Sequence, residues 1–123
     1  MSRRLTDAEL DLMEALWAHG PSTVREVWSR LPPGRAYTTI ATELGILVEK
    51  GWVQSERSGK SFVYTPLIPR DAYVRSGARD LLRRLFGGSV TALVRSLTDD
   101  PALTPEEREA LQAELRAFQD PPS

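Results

Sequence analysis

The sequence contains no cysteine and a single histidine, His19, among 123 residues. Disulfides, thiol nucleophiles and thiolate-based metal or redox centres are excluded at once. One imidazole without thiolates cannot assemble a common zinc site, and its place before Gly20-Pro21 suits a surface residue at a helix C-terminus. No apolar run approaches the roughly 20 residues that a membrane-spanning helix requires. No apolar segment follows the basic start Arg3-Arg4, because Asp7, Glu9 and Asp11 intervene, so a secretory signal is not expected and the sequence predicts a cytoplasmic address. A charge excess is missing too: 16 basic and 17 acidic residues leave a net charge of −1. From Arg25 to Lys60 the balance tips to six basic against four acidic, a local excess too small to decide for or against a polyanionic partner. Glycine-rich phosphate loops and nucleophile motifs are also absent and no carboxylate pair is convincing as an acid–base site, so neither an enzyme nor a cofactor is expected.

What is present is helix punctuation. The hydrophobic fraction of 41% matches a packed globular chain, and the length suits one compact domain with a small appendage. Thr6 and Glu9 form a T-x-x-E capping box, flanked by Leu5 and Leu10 as a hydrophobic staple. Leu10, Met13, Leu16 and Trp17 then recur at helical spacing until Gly20-Pro21. Thr23 and Glu26 repeat the box, and Val24, Val27, Trp28 and Leu31 carry a second apolar stripe up to Pro32-Pro33-Gly34. The three tryptophans, Trp17, Trp28 and Trp52, fall on inner stripes or at a strand start and read as core.

A third helix is predicted over residues 36–50, with Ile40, Leu44, Leu47 and Val48 turned inward. Its opposite face carries Thr38, Thr42, Gly45, Ile46 and Glu49. That face is short-chained and hydroxyl-rich, whereas an ordinary solvated face would carry more charge. Residues 52–57 and 61–65 then read as a β-hairpin turning at Ser58-Gly59-Lys60, with Phe62 and Tyr64 alternating against Ser61 and Val63. Three short helices followed by a ribbon form the plan of a winged helix-turn-helix. In that plan the third helix enters the DNA major groove and the ribbon tip lies along the backbone or minor groove. Arg57 and Lys60 at the tip are candidate phosphate contacts, and Arg35, just ahead of the third helix, is another.

Pro66 and Pro69 mark a boundary, dividing the chain into a DNA-binding domain, 1–66, and a helical dimerisation region, 67–123. The second part should hold a long helix over 70–86, a helix capped by Ser89, and a last helix opened by Thr104-Pro105-Glu106-Glu107. Its apolar stripes, Leu81, Leu82, Leu85, Phe86, Leu93, Leu97, Leu111, Leu115 and Phe118, are too much for three short helices to bury alone. A second copy of the same arm is the expected partner, closed by a twofold axis. The row Arg75, Arg79, Arg83 and Arg84 on the long helix reads as a solvated face. The expected class is therefore mainly α with a small β-hairpin: a winged helix-turn-helix followed by a helical dimerisation arm.

The stretches LTDAELDLMEALW, STVREVWSRLPPGRAYTTI, LVEKGWVQSERSGKSFVYTPLIPRDAY and LLRRLFGGSVTALV, in that order, resemble the penicillinase-repressor family of the BlaI/MecI type over almost the full length. The resemblance implies a dimeric repressor on a palindromic double-stranded DNA operator, with Thr38, Thr39 and Thr42 facing the major groove and Arg57 and Lys60 on the wing. It also implies control of β-lactam resistance or related genes, and a membrane sensor protease as partner, with cleavage in the arm at Ser96-Leu97. Two positions depart from the family pattern. Gly45-Ile46 stands where members usually have a polar residue followed by arginine, and Ser96-Leu97 stands where the best-known members have Asn-Phe. Copper-responsive relatives use a terminal cysteine motif, which this chain lacks. Two other readings fit the same elements: a winged-helix module that docks a protein, and a regulator holding a small molecule.

Overall fold

The computed structural model describes residues 4–119, with the side chains of residues 118 and 119 outside that description. The elements run α1 (Asp7–His19), β1 (Ser22–Thr23), α2 (Val24–Arg30), α3 (Tyr37–Glu49), β2 (Val53–Ser58), β3 (Ser61–Pro66), α4 (Arg70–Phe86), α5 (Val90–Thr98) and α6 (Pro105–Gln119). They form two compact units, 1–77 and 78–123, dividing inside α4.

In the first unit α1 and α2 start where the sequence provides a cap. The Thr6 hydroxyl accepts from the Glu9 amide at 3.1 Å and the Glu9 carboxylate accepts from the Thr6 amide at 2.9 Å. Thr23 and Glu26 reproduce the exchange at 2.9 and 3.2 Å, each box satisfying two otherwise orphaned helix-end donors. Leu12, Met13 and Leu16 of α1, Val27 of α2, Ile40, Leu44 and Leu47 of α3, and Trp52 and Val53 at the ribbon's base make one continuous core. Burying each such side chain stabilises the fold by about 1.5–3 kcal/mol before chain entropy is counted.

The ribbon is part of a three-stranded antiparallel sheet in the order β1-β3-β2, one strand more than the hairpin expected from the sequence. β1 is two residues long, pairing Ser22 with Tyr64 and Thr23 with Val63, too short to show any period. The hairpin closes at Ser58↔Ser61 around Gly59, whose φ of 64° lies in the left-handed region that glycine tolerates. Trp28 also departs from expectation. It is 40% exposed, because its indole donates to the Arg35 carbonyl at 3.0 Å and meets Tyr37 edge-on instead of entering the core.

The first turns of α4 pack on this unit. Tyr73 stacks near Trp17 and meets Trp52 edge-on, with ring centroids 5.9 and 5.4 Å away, and its hydroxyl accepts from the Leu5 amide at 3.3 Å. Trp17 donates to the Ile68 carbonyl at 2.9 Å, which pins the link between β3 and α4. The unit therefore extends past the boundary read from Pro66 and Pro69.

The second unit is helical. Ser89 caps α5 through the Ala92 amide, and Thr104 with Glu107 forms a third capping box at the start of α6. Arg108 donates to the Thr98 and Asp100 carbonyls and ties α6 to the end of α5. Four of its large apolar residues stay on the surface: Leu85 is 71% and Val90 60% exposed, and Leu81 and Leu97 are exposed too. Leu82, Phe86, Leu93, Leu111 and Leu115 are half-buried. Asp80, held by Arg83 and Arg84 at 2.6 and 3.4 Å, is the buried residue of this stretch of α4.

Candidate nucleic-acid interface

The outward face of α3 is assembled by the inward one. Ile40, Leu44 and Leu47 are fully buried and fix the helix's rotation, so Thr38, Thr39, Thr42, Gly45, Ile46 and Glu49 all come out exposed. The three threonines therefore share one accessible surface. Ala36, the N-cap, supplies no side-chain hydrogen bond, and no acidic residue occupies the first turn. The amides at the start of α3 thus keep their partial positive charge toward solvent, whereas α1 and α2 use theirs on glutamate boxes. Thr42 donates its hydroxyl proton to the Thr38 carbonyl at 3.0 Å, leaving an oxygen acceptor and a methyl for any outside partner.

Arg57 and Lys60 are both exposed at the hairpin. The Arg57 side chain donates to the Gly59 carbonyl at 3.2 Å, curling over the turn. Lys60 lines a cleft of about 270 Å³ shared with Thr23, Val24, Arg25, Tyr37, Phe62 and Tyr64. This cleft brings the ribbon, the start of α2 and the start of α3 together. Arg25 sits with its guanidinium carbon 6.0 Å from the centre of the Tyr37 ring, a cation–π distance. Arg25 is thereby a third cation, beside Tyr37 at the start of α3. In the sequence Arg25 enters only the charge balance, although its position two residues after the Thr23 cap puts it on the exposed side of α2.

Arg35 is placed differently. Its guanidinium donates to the Asp11 carboxylate at 2.9 Å and to the Ala8 carbonyl at 3.5 Å, and stands 3.9 Å from Glu43. Glu43 Oε2 is buried without a hydrogen bond, so that cation is its nearest compensation. The geometry makes Arg35 a brace between α1 and α3, already committed to three partners.

The far end of α3 is braced in turn by Lys50, whose ammonium donates to Glu9 Oε2 at 2.8 Å. Burial pushes the Glu9 carboxyl up, but hydrogen bonds from Lys50 and Thr6 outweigh it and hold the group below the ordinary carboxylate range. The Thr23 amide does the same for Glu26 on the surface. Both ends of α3 are thus tied to α1 by ion pairs.

Ser96 and Leu97 lie exposed near the end of α5, with the Ser96 hydroxyl donating to the Leu93 carbonyl at 2.7 Å. Among the described residues no cluster of histidine, aspartate and glutamate could hold a metal ion, and no helix is long and apolar enough to cross a membrane.

A solution structure of the DNA-binding domain of the repressor BlaI is 33% identical to this chain, covering 59% of it and 92% of that domain, with a TM-score of 0.52. The Bacillus licheniformis BlaI monomer in complex with the blaP half-operator matches over the same share at 33% identity, with a TM-score of 0.50. These matches give the first unit the winged-helix fold of BlaI. The penicillinase repressor of Bacillus licheniformis is 30% identical over 106 residues, which cover 85% of this chain and 83% of that protein. Residues 5–117 match the family model described as penicillinase repressor, and the chain belongs to that family of transcriptional repressors rather than to any class of enzyme.

Proposed function

We propose that this repressor binds double-stranded operator DNA as a homodimer, with α3 in the major groove and the β2–β3 tip on the phosphate backbone. The observation that carries this reading is the threonine face of α3. Thr38, Thr39 and Thr42 stand exposed on a helix whose other side is locked into the core, and hydroxyl-bearing side chains of that size reach base edges and phosphates alike. Lys60, Arg57 and Arg25 flank the face as phosphate contacts, and the uncapped start of α3 offers amides to the same backbone. Arg35 contributes by bracing the helix.

Dimerisation is supported by the second unit, whose exposed Leu81, Leu85, Val90 and Leu97 form more apolar surface than a small helical arm leaves to water. Leu82, Phe86, Leu93, Leu111 and Leu115 extend the same stripes. Phe118 belongs to the expected set, its side chain lying outside the described residues. Twofold pairing of the arm makes the operator an inverted repeat. The likeness to the Bacillus licheniformis penicillinase repressor supports β-lactam resistance genes as targets. A membrane sensor protease acting at Ser96-Leu97 would relieve repression. Both residues are exposed, and the last turn of α5 has to open before a protease can seat the bond.

Selection of the full chain on a random duplex DNA pool tests the reading. Enrichment of an inverted repeat is the expected result. Failure to enrich any sequence, with only weak salt-sensitive association left, would favour a winged-helix module that docks a protein.

A further inference from the structure

Among the large aliphatic residues of α3, Ile40, Leu44 and Leu47 are fully buried, whereas Ile46 is 39% exposed. Ile46 lies one helical turn beyond Thr42 on the outward face. Between them in sequence is Gly45, where an added Cβ would meet nothing within 4 Å. Packing therefore does not require a glycine, and its absent side chain leaves an open notch beside Ile46. The face as a whole carries Thr38, Thr39, Thr42, Gly45, Ile46 and Glu49. It has no arginine or lysine to fork onto guanine and no asparagine or glutamine to pair with adenine. Thr42 has its single proton engaged by the Thr38 carbonyl, so it offers bases a methyl and an acceptor but no donor.

In the major groove, one base edge is apolar: the C5-methyl of thymine. We infer that α3 selects its operator by thymine methyl groups, with Ile46 as the specificity-determining contact, the Thr42 methyl beside it and the Gly45 notch admitting the base-pair edge. This rests on the DNA-binding reading above and specifies what that face recognises. Burying a methyl against an aliphatic side chain is worth about a fourfold change in affinity, and several such contacts per half-site multiply.

The test uses the full chain and the duplex that it enriches, resynthesised with deoxyuridine in place of each thymine in turn, which removes the methyl and leaves Watson–Crick pairing intact. Fluorescence anisotropy should show binding about fourfold weaker at the thymines facing Ile46 and the Thr42 methyl, with little change elsewhere. Ile46→Ala should abolish that penalty for its own thymines. Thr42→Ser, which keeps the hydroxyl and deletes the methyl, should abolish it for the neighbouring one. Ile46 is on the surface, and an unchanged melting curve for each variant separates readout from folding. Equal binding of every deoxyuridine duplex, a penalty that persists undiminished in Ile46→Ala, or an enriched half-site without thymine would overturn the inference while leaving DNA binding intact. Failure to enrich any duplex would overturn the DNA-binding reading and this inference together.

Discussion

Replacing Glu9 by glutamine isolates a single interaction between the first helix and the end of α3. Glu9 Oε1 accepts from the Thr6 amide at 2.9 Å and Oε2 accepts from Lys50 at 2.8 Å. Glutamine preserves the first bond, because its amide oxygen can still close a capping box. It removes the second, setting an amide group against an ammonium. A hydrogen bond to a charged group is worth about 1.5–3 kcal/mol. The Glu9 side chain is only 8% exposed but that of Lys50 is 50% exposed, so water recovers part of the loss and the lower end applies. A cost of about 1.5 kcal/mol lowers the melting temperature of a domain this size by about 6 °C. The pH dependence carries a definite sign. The folded carboxyl lies below its unfolded value, because Lys50 and Thr6 outweigh the opposing effect of burial. Its contribution is therefore complete above the ordinary carboxylate pKa of about 4.3 and is lost as pH falls through the lowered folded value. Urea denaturation of both proteins should give a stability gap at neutral pH that closes progressively below about pH 4. A gap of the same size at neutral pH and at about pH 3 would refute the ionic account and leave packing as the cause.

Three further outcomes follow from named residues. Gly45→Ala should stabilise the protein by about 1 kcal/mol in urea denaturation, since the helix interior gains propensity and the new Cβ meets nothing within 4 Å; it should also weaken operator binding by filling the notch. Lys60→Ala should weaken binding to all DNA sequences about equally and lower the slope of log K against log salt by about one, read by anisotropy titration at several salt concentrations. Leu85→Asp, at a side chain already 71% exposed, should shift the chain toward monomer in analytical ultracentrifugation while leaving the core melt of the first unit in place, because a buried unpaired charge is costly only inside an interface.

Local chemistry was the most readable part of the sequence. The three threonine–glutamate boxes form as written, because cap, amide and carboxylate lie within three residues of each other. The outward threonine face was equally accessible, since helical winding alone separates it from Ile40, Leu44 and Leu47. What escaped was set by tertiary contact. The two residues of β1 gain their strand character only from pairing with Tyr64 and Val63. Arg35 precedes α3, and its pairing at 2.9 Å with Asp11, 24 residues earlier, is not legible from spacing. Trp28 has the spacing of a core residue, but its indole finds the Arg35 carbonyl at the surface. Lys50 and Glu9 stand 41 residues apart, and no periodicity connects them. Arg25 could be placed on its helix from sequence, but not beside Tyr37 and Lys60.

Two copies of this chain presenting two α3 faces to one operator is the arrangement on which the proposed function stands or falls. Sedimentation equilibrium of the full chain with the duplex enriched from a random pool, in excess protein, tests it most directly. Two chains per duplex on an inverted repeat are expected, with a single half-site bound far more weakly. One chain per duplex, bound equally well to a half-site and to the full repeat, would contradict it.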